Sequence, residues 1–435
     1  MAERRRPKVA LEATGPFVIQ DLMSEAQWEV QPDAEDHRWF ESIADLSPEE
    51  FILNAHLEVD HPPVVEPILT RDLDGWRANR YIGRIRHQGR TLEILPRLGV
   101  DTITNWISEI LNVQVLPKTA ARGQSSDLVV IQLLAALWRA EVLTAGQHAL
   151  PRSKQKTTST SLAVRGRLDV ASTVRRHAAG HKDLVSTQHV RSYDNAPARA
   201  VVLADQYFDQ RLAGNRWRGP RLTEQVTTLR SSTGPRPALP SLRDIRKAKY
   251  SPITIKWRRA AELSWRILAQ DLLGTAPEDE STYGILIDVA ELWELFVLHC
   301  AGLATEEVVK HGTSLHVSGH LARSTVNPKR TLGKLYPDIM IGNDRPSALI
   351  DAKYKRVGQK RSINREDLYQ LHAYATTFGP PLAALAYPST GDHAPDEERL
   401  GPWETSTGLL SFLTLPTDRD GCVEKLSDWI RSGPG

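Results

Sequence analysis

A small set of residues in the last third of this 435-residue chain has the types and spacing that chemistry requires. Asp338 follows Pro337, Asp351 and Lys353 lie two apart, Glu291 and Glu294 stand upstream, and Gln370 and Tyr374 follow four apart. Two aspartates and a helical glutamate can offer hard oxygens to one or two Mg2+ ions. Such an ion polarises a phosphate, lowers the pKa of a bound water and stabilises the departing oxygen. Lys353 could orient the attacking water or offset charge on a pentavalent transition state. A role as base would require a lowered pKa, which sequence does not reveal. The chemistry indicated is metal-assisted phosphodiester hydrolysis.

These residues need particular elements to bring them together. Ile285 to Val297 reads as a largely buried helix, with Glu291 and Glu294 on one face. A carboxylate beside so much apolar surface is costly unless paired or metal-bound. Ile339-Met340-Ile341 reads as an apolar strand ending at Gly342, and Ala348 to Tyr354 as its neighbour across a polar turn at 342–346. In a strand, Asp351 and Lys353 project to the same face. Arg365 to Ala375 reads as a helix on which Gln370 and Tyr374 stack. Each piece alone has an ordinary reading as a turn, a solvated strand face or helix polarity. The weight lies in their order.

Further upstream, Tyr81–Arg86 and Thr91–Leu95 flank a Gly-containing turn at His87–Arg90 and read as a hairpin that Pro96 stops. Helical patterns follow over Thr102–Leu111 and Asp127–Leu143, where Val130, Leu133, Leu134 and Leu137 recur at three- and four-residue steps. Pro151 to Ser161 is polar enough to be a loop. Helices are expected over Ala198–Leu212 and Ile255–Leu273, with a proline-rich connector between Thr233 and Pro240.

Charge divides the chain more sharply than hydropathy does. The net charge is only +2, yet residues 1–150 carry 15 basic against 22 acidic residues, 151–260 carry 23 against 7, and 261–435 carry 17 against 24. A block at net +16 attracts polyanions, because Lys and Arg displace the counterions condensed on phosphates. Two cysteines exclude a disulfide framework or a four-thiolate zinc site. No phosphate-binding G-x-x-x-x-G-K-[ST] loop occurs, which argues against a P-loop NTPase. The most apolar stretch, Leu128–Trp138, is too short to span a bilayer. With no export signal evident, a cytoplasmic protein without a membrane partner is expected.

The residues from Asp338 to Tyr374 resemble the PD-(D/E)xK nuclease superfamily, with Gln370 to Tyr374 similar to its RecB-type branch. More narrowly, Asp351-Ala352-Lys353-Tyr354-Lys355, Asp367 to Tyr374 and Leu292-Trp293-Glu294 resemble McrC, the nuclease subunit of McrBC-type modification-dependent restriction systems. By this likeness Glu294, rather than Glu291, matches the helical glutamate. The resemblance spans roughly residues 75–385 and takes in Tyr81–Gly99 and Val164–Asp169. It departs at Arg97, where the family usually has Lys, and after Tyr193-Asp194, where Asn195-Ala196-Pro197 follows.

The resemblance implies an α+β, multidomain chain ending in a restriction-endonuclease-like α/β domain. Glu294, Asp338 and Asp351 would hold Mg2+, with Mn2+ as a substitute, and Lys353, Gln370 and Tyr374 would complete the site. It also implies an McrB-like AAA+ GTPase ring as partner and modified double-stranded DNA as substrate. On this reading 1–150 is partner-facing, 151–270 a DNA-contacting bridge and 271–435 the nuclease. A stand-alone or repair-associated nuclease, and a non-catalytic DNA-binding scaffold, are the alternatives.

Overall fold

The computed structural model describes residues 16–53, 65–111, 126–212, 217–273, 282–312, 319–327, 329–343, 345–355, 364–389 and 401–433. The fold is mixed α+β. It divides into two compact units, Met1–Val115 with Pro277–Gly435, and Leu116–Ala276. The expected domain boundaries at 150 and 270 do not coincide with these units. The reason is a strand, Tyr283–Asp288, that returns to pair antiparallel with Tyr81–His87, Ile287 opposite Ile82.

That strand corrects the reading of Ile285–Val297 as one helix. Tyr283–Asp288 is extended, and the helix is Val289–Ala304, begun by Asp288, whose side chain accepts from the amides of Ala290 and Glu291 at 3.0 and 3.2 Å. The expected hairpin is present as Tyr81–His87 and Arg90–Leu95. It sits inside a five-stranded sheet ordered Phe17–Gln20, Arg90–Leu95, Tyr81–His87, Tyr283–Asp288, Ile52–Leu53. Gly83 has φ +130° and faces this crossing, where a Cβ would lie 2.2 Å from the Ile285 carbonyl oxygen. Against the sheet packs the helix Ala34–Ala44, which buries Trp39, Phe40 and Ile43. Each fully buried side chain of that size contributes about 1.5–3 kcal/mol.

A second sheet in the same unit has six strands, ordered Val309–His311, Ile339–Ile341, Ala348–Ala352, Leu382–Pro388, Gly408–Leu415, Trp403–Thr405. Its two strands expected from sequence pair antiparallel, Ile339 opposite Ile350. Leu382–Pro388 runs parallel to both of its neighbours and is buried throughout, as a strand covered on both faces must be. The helix expected at Arg365–Ala375 continues to Phe378 and ends at Gly379 in the left-handed conformation.

The other unit is mainly helical. Ser126–Ala145, Ala196–Arg211, Gly219–Thr233, Leu242–Lys247 and Lys256–Leu273 enclose Trp138, Phe208 and Trp217, and the Trp138 indole donates to Ser264 Oγ at 2.8 Å. A three-stranded sheet of Ser153–Ser161, Leu184–Ser192 and Arg167–Leu168 adjoins the helix Val170–Ala178. Pro151–Ser161 is therefore a strand from Ser153 onward, not a loop. Its threonines suit a pleated ladder despite their polarity.

Candidate active site

The strands that carry Asp338 and Asp351 are neighbours, so the turn between them returns the chain with the two carboxylates close. Asp338 lies at the entry to Ile339–Ile341, and its Oδ2 accepts the Ala352 amide at 2.7 Å. Its own carbonyl accepts from Gly312 at 3.2 Å. A Cβ at Gly312 would stand 1.6 Å from the Pro337 carbonyl oxygen, so only glycine admits this approach.

Asp351 is fully buried in its strand. Its Oδ2 lies 2.7 Å from Lys353 Nζ. Its Oδ1 is buried without a hydrogen-bond partner. Lys353 follows the strand end, and its backbone amide donates to the Ala386 carbonyl at 2.8 Å, fixing where the side chain leaves the sheet. From there Nζ donates to Gln370 Oε1 at 3.0 Å, Gln370 Nε2 donates to Tyr374 Oη at 2.8 Å, and Tyr374 Oη donates to the Tyr336 carbonyl at 3.0 Å. The chain of bonds ends two residues before Asp338. Lys355 Nζ, 2.5 Å from the buried Asp367, ties the same segment to the first turn of the Arg365–Phe378 helix.

Glu294 is set by its own helix. Arg80 grips the capping Asp288 through two nitrogens at 3.0 and 2.6 Å, and the Trp293 indole donates to the Ala386 carbonyl at 3.1 Å. The Glu294 carboxylate takes His311 Nε2 from the edge strand as its partner. His311 is a member of the site that sequence reasoning missed, since only the strand pairing of 309–311 with 339–341 delivers it.

The carboxylates act on one another. Burial, then the charges of Glu294 and Asp351, raise the Asp338 carboxyl well above its ordinary 3.8. Burial also raises Asp351, against the pull of the Lys353 ammonium. For Lys353, burial opposes the charge, yet Asp351 and Asp338 outweigh it and hold the ammonium above its usual range. A protonated lysine suits charge compensation and orientation, not proton abstraction. Among the described residues no three His, Cys, Asp or Glu side chains form a ready-made metal cage.

The fold is shared with a restriction-system assembly. At 14% identity and a TM-score of 0.52, the chain is similar to one in the refined half-complex from the tetradecameric assembly of Thermococcus gammatolerans McrB AAA+ hexamers with bound McrC, covering 84% of this chain and 85% of that one. The cryo-EM structure of the Thermococcus gammatolerans McrBC complex aligns at 13% identity and a TM-score of 0.35, over 68% of this chain and 90% of that one. No curated protein matches. A family model described as McrBC 5-methylcytosine restriction system component matches residues 76–388, and the chain belongs to that family. The resemblance to McrC drawn from the motifs is thereby borne out.

Proposed function

We propose that this chain is the nuclease subunit of a restriction complex, cutting modified double-stranded DNA and working with an McrB-like AAA+ GTPase ring that it stimulates. The observation that carries this reading is the bonded series Asp351–Lys353–Gln370–Tyr374 beside Asp338, at the meeting of two adjacent strands. The six-stranded sheet then corresponds to a PD-(D/E)xK nuclease core.

The carboxylates fit a divalent ion. Asp351 has a buried oxygen with no hydrogen bond, and burial, with the neighbouring carboxylates adding to it, raises both the Asp338 and Asp351 carboxyls. Mg2+ is commonly held by one or two carboxylates plus substrate phosphate and water rather than by an all-protein cage. Asp338 and Asp351 would hold it, with Glu294 as a third donor; Mn2+ has the same ligand preference. When bound, the ion supplies Lewis acidity toward the phosphate and a lowered pKa for its water. Lys353 keeps its proton and places positive charge beside the scissile phosphate as the transition state forms. Gln370 and Tyr374 hold that ammonium in place.

The test is nicking of methylated and unmethylated plasmid in Mg2+, with and without the GTPase partner and GTP. Cleavage should require Mg2+ and the modified substrate, and Asp351→Ala should abolish it while complex assembly persists. Undiminished cutting by that variant would overturn the site assignment.

A further inference from the structure

Between His311 and Asp338 the sequence carries no acid and four cations, Arg323, Lys329, Arg330 and Lys334, inside a stretch that elsewhere has more acids than bases. Much of that segment is one hairpin, Gly319–Arg323 against Thr331–Leu335, which pairs with no other strand among the described residues. A lone two-stranded ribbon is marginal in water, so this one depends on its base. Leu335 belongs to the buried cluster that holds Leu371 and Tyr374. Gly319 approaches the helix end so closely that a Cβ there would lie 2.7 Å from the Phe378 ring. The ribbon thus stands on the helix that carries Gln370 and Tyr374.

Its cations surround the ribbon and are not neutralised. His320 lies opposite Lys334 and Ala322 opposite Leu332, so these four share one face, while Arg323, opposite Thr331, projects to the other. Lys329 and Arg330 stand at the tip, where Ser324 and Asn327 close the turn. Ser324 Oγ accepts the Asn327 amide at 3.1 Å, and Asn327 Oδ1 accepts the Lys329 amide at 3.1 Å. All four cations are exposed, and none pairs with a carboxylate among the described residues. Leu332 and Val326 are 75% and 94% exposed, too open to serve the core. At the base, Lys334 Nζ lies 4.7 Å from the centroid of the Tyr336 ring, and the Tyr336 carbonyl is the acceptor of Tyr374 Oη. The basic ribbon therefore begins where the bonded series from Lys353 ends.

We infer that this hairpin is an arm for duplex DNA, lying in the major groove beside the scissile phosphate. The inference rests on the nuclease reading above and names the contact that seats its substrate. A two-stranded ribbon fits the major groove, which is about 12 Å wide. Cations on both faces and at the tip then meet the phosphates along its two walls and fix the register of the duplex. Leu332 and Val326 face the base edges, where a thymine methyl is an apolar partner. A segment without acids meets no repulsion from those phosphates.

The full chain carrying Asp351→Ala, so that substrate stays uncut, is titrated against a fluorescein-labelled duplex of about 30 base pairs over a range of salt. Adding Arg323→Ala/Lys329→Ala/Arg330→Ala/Lys334→Ala should weaken binding on the order of tenfold or more at moderate salt. The log–log salt slope should fall by about 0.9 for each phosphate no longer neutralised, about 3 to 4 in all. Arg323→Lys/Arg330→Lys should bind as the parent does, and the tip variant Lys329→Glu/Arg330→Glu, far from the core, should weaken binding without moving the melting temperature. Dimethyl sulfate, which methylates guanine N7 in the major groove, should show protection by the parent that the alanine variant loses.

Unchanged affinity and slope in both the alanine and the tip variants would overturn the arm and leave the nuclease reading intact, provided that the chain with Asp351 in place still nicks plasmid. Protection confined to adenine N3 would overturn the major-groove placement. Unchanged DNA affinity with a shift in mass by light scattering would overturn the arm in favour of a contact between two copies of the chain. DNA affinity that falls with the hairpin cations, while the chain with Asp351 in place nicks nothing under any condition, would support the arm and sink the nuclease reading instead.

Discussion

The Arg97 guanidinium lies 4.6 Å from the centroid of the Tyr354 ring, joining the end of the first sheet to the residue after Lys353. Its side chain is 1% exposed, its Nε is 3.8 Å from Asp21 Oδ2, and its amide donates to Asp21 Oδ1 at 2.5 Å. The position where the family usually has Lys is thus an internal strut beside the strand that carries Asp351. Breaking a buried charge pair from one side strands the other charge, at a cost of about 3–5 kcal/mol. Arg97→Ala should lower the urea midpoint accordingly. Arg97→Lys should cost less but lose the planar stack, and Asp21→Asn/Arg97→Met should recover part of the loss. Equal midpoints for Arg97→Ala and wild type would dismiss the strut.

Gln370 is the hinge of the bonded series, accepting from Lys353 and donating to Tyr374. Gln370→Ala removes both bonds and lets the ammonium drift. Misplacement by about 1 Å can cost on the order of 100-fold in rate, so single-turnover nicking should slow about 10- to 100-fold. Tyr374→Phe keeps the ring in place and loses only the bonds at its hydroxyl, so its effect should be smaller. DNA affinity in EDTA should not change in either variant. A rate unaltered in Gln370→Ala would mean that Lys353 is held without it.

His311 bonds to Glu294 from the edge strand. Groups that orient metal-ligating side chains typically account for about 10- to 100-fold in metal affinity. His311→Ala should therefore shift the Mg2+ concentration for half-maximal cleavage upward by about tenfold or more, with the rate at saturating Mg2+ largely restored. A shift to lower Mg2+ would show instead that the imidazole competes with the ion for Glu294.

Local patterns are legible in the sequence and long-range deliveries are not. Ile339–Ile341, Ala348–Ala352 and the Arg365–Phe378 helix follow from apolar runs, a turn between them and Asn364 at the cap. Ile285-Leu286-Ile287 misleads because a short apolar run has the same appearance in a buried strand and a buried helix. The signal that separates them is Asp288, an N-cap residue with Glu291 three positions on. The return of Tyr283–Asp288 to Tyr81–His87 crosses nearly two hundred residues, so no charge window could find that unit. His311 and Arg97 meet the site only through pairing and packing, which spacing does not encode.

The carboxylate cluster should be a site where function opposes stability. Burial and the charges of Glu294 and Asp351 raise the Asp338 carboxyl above 3.8 in the folded chain. A raised acid is favoured in its protonated form by folding, so its contribution is harmless below the unfolded value. It becomes a penalty as pH rises above the unfolded value, and the penalty grows until the pH has passed the folded value. Asp338→Asn removes that charge while an amide oxygen can still accept from Ala352. In EDTA near neutral pH the variant should melt a few degrees above wild type, with the gap narrowing as pH falls toward 3.8. Mg2+ should raise the wild-type melting temperature and leave the variant nearly unmoved, and the variant should not cleave. A variant that melts lower than wild type at every pH would mean that the Ala352 bond, not carboxylate repulsion, governs this position.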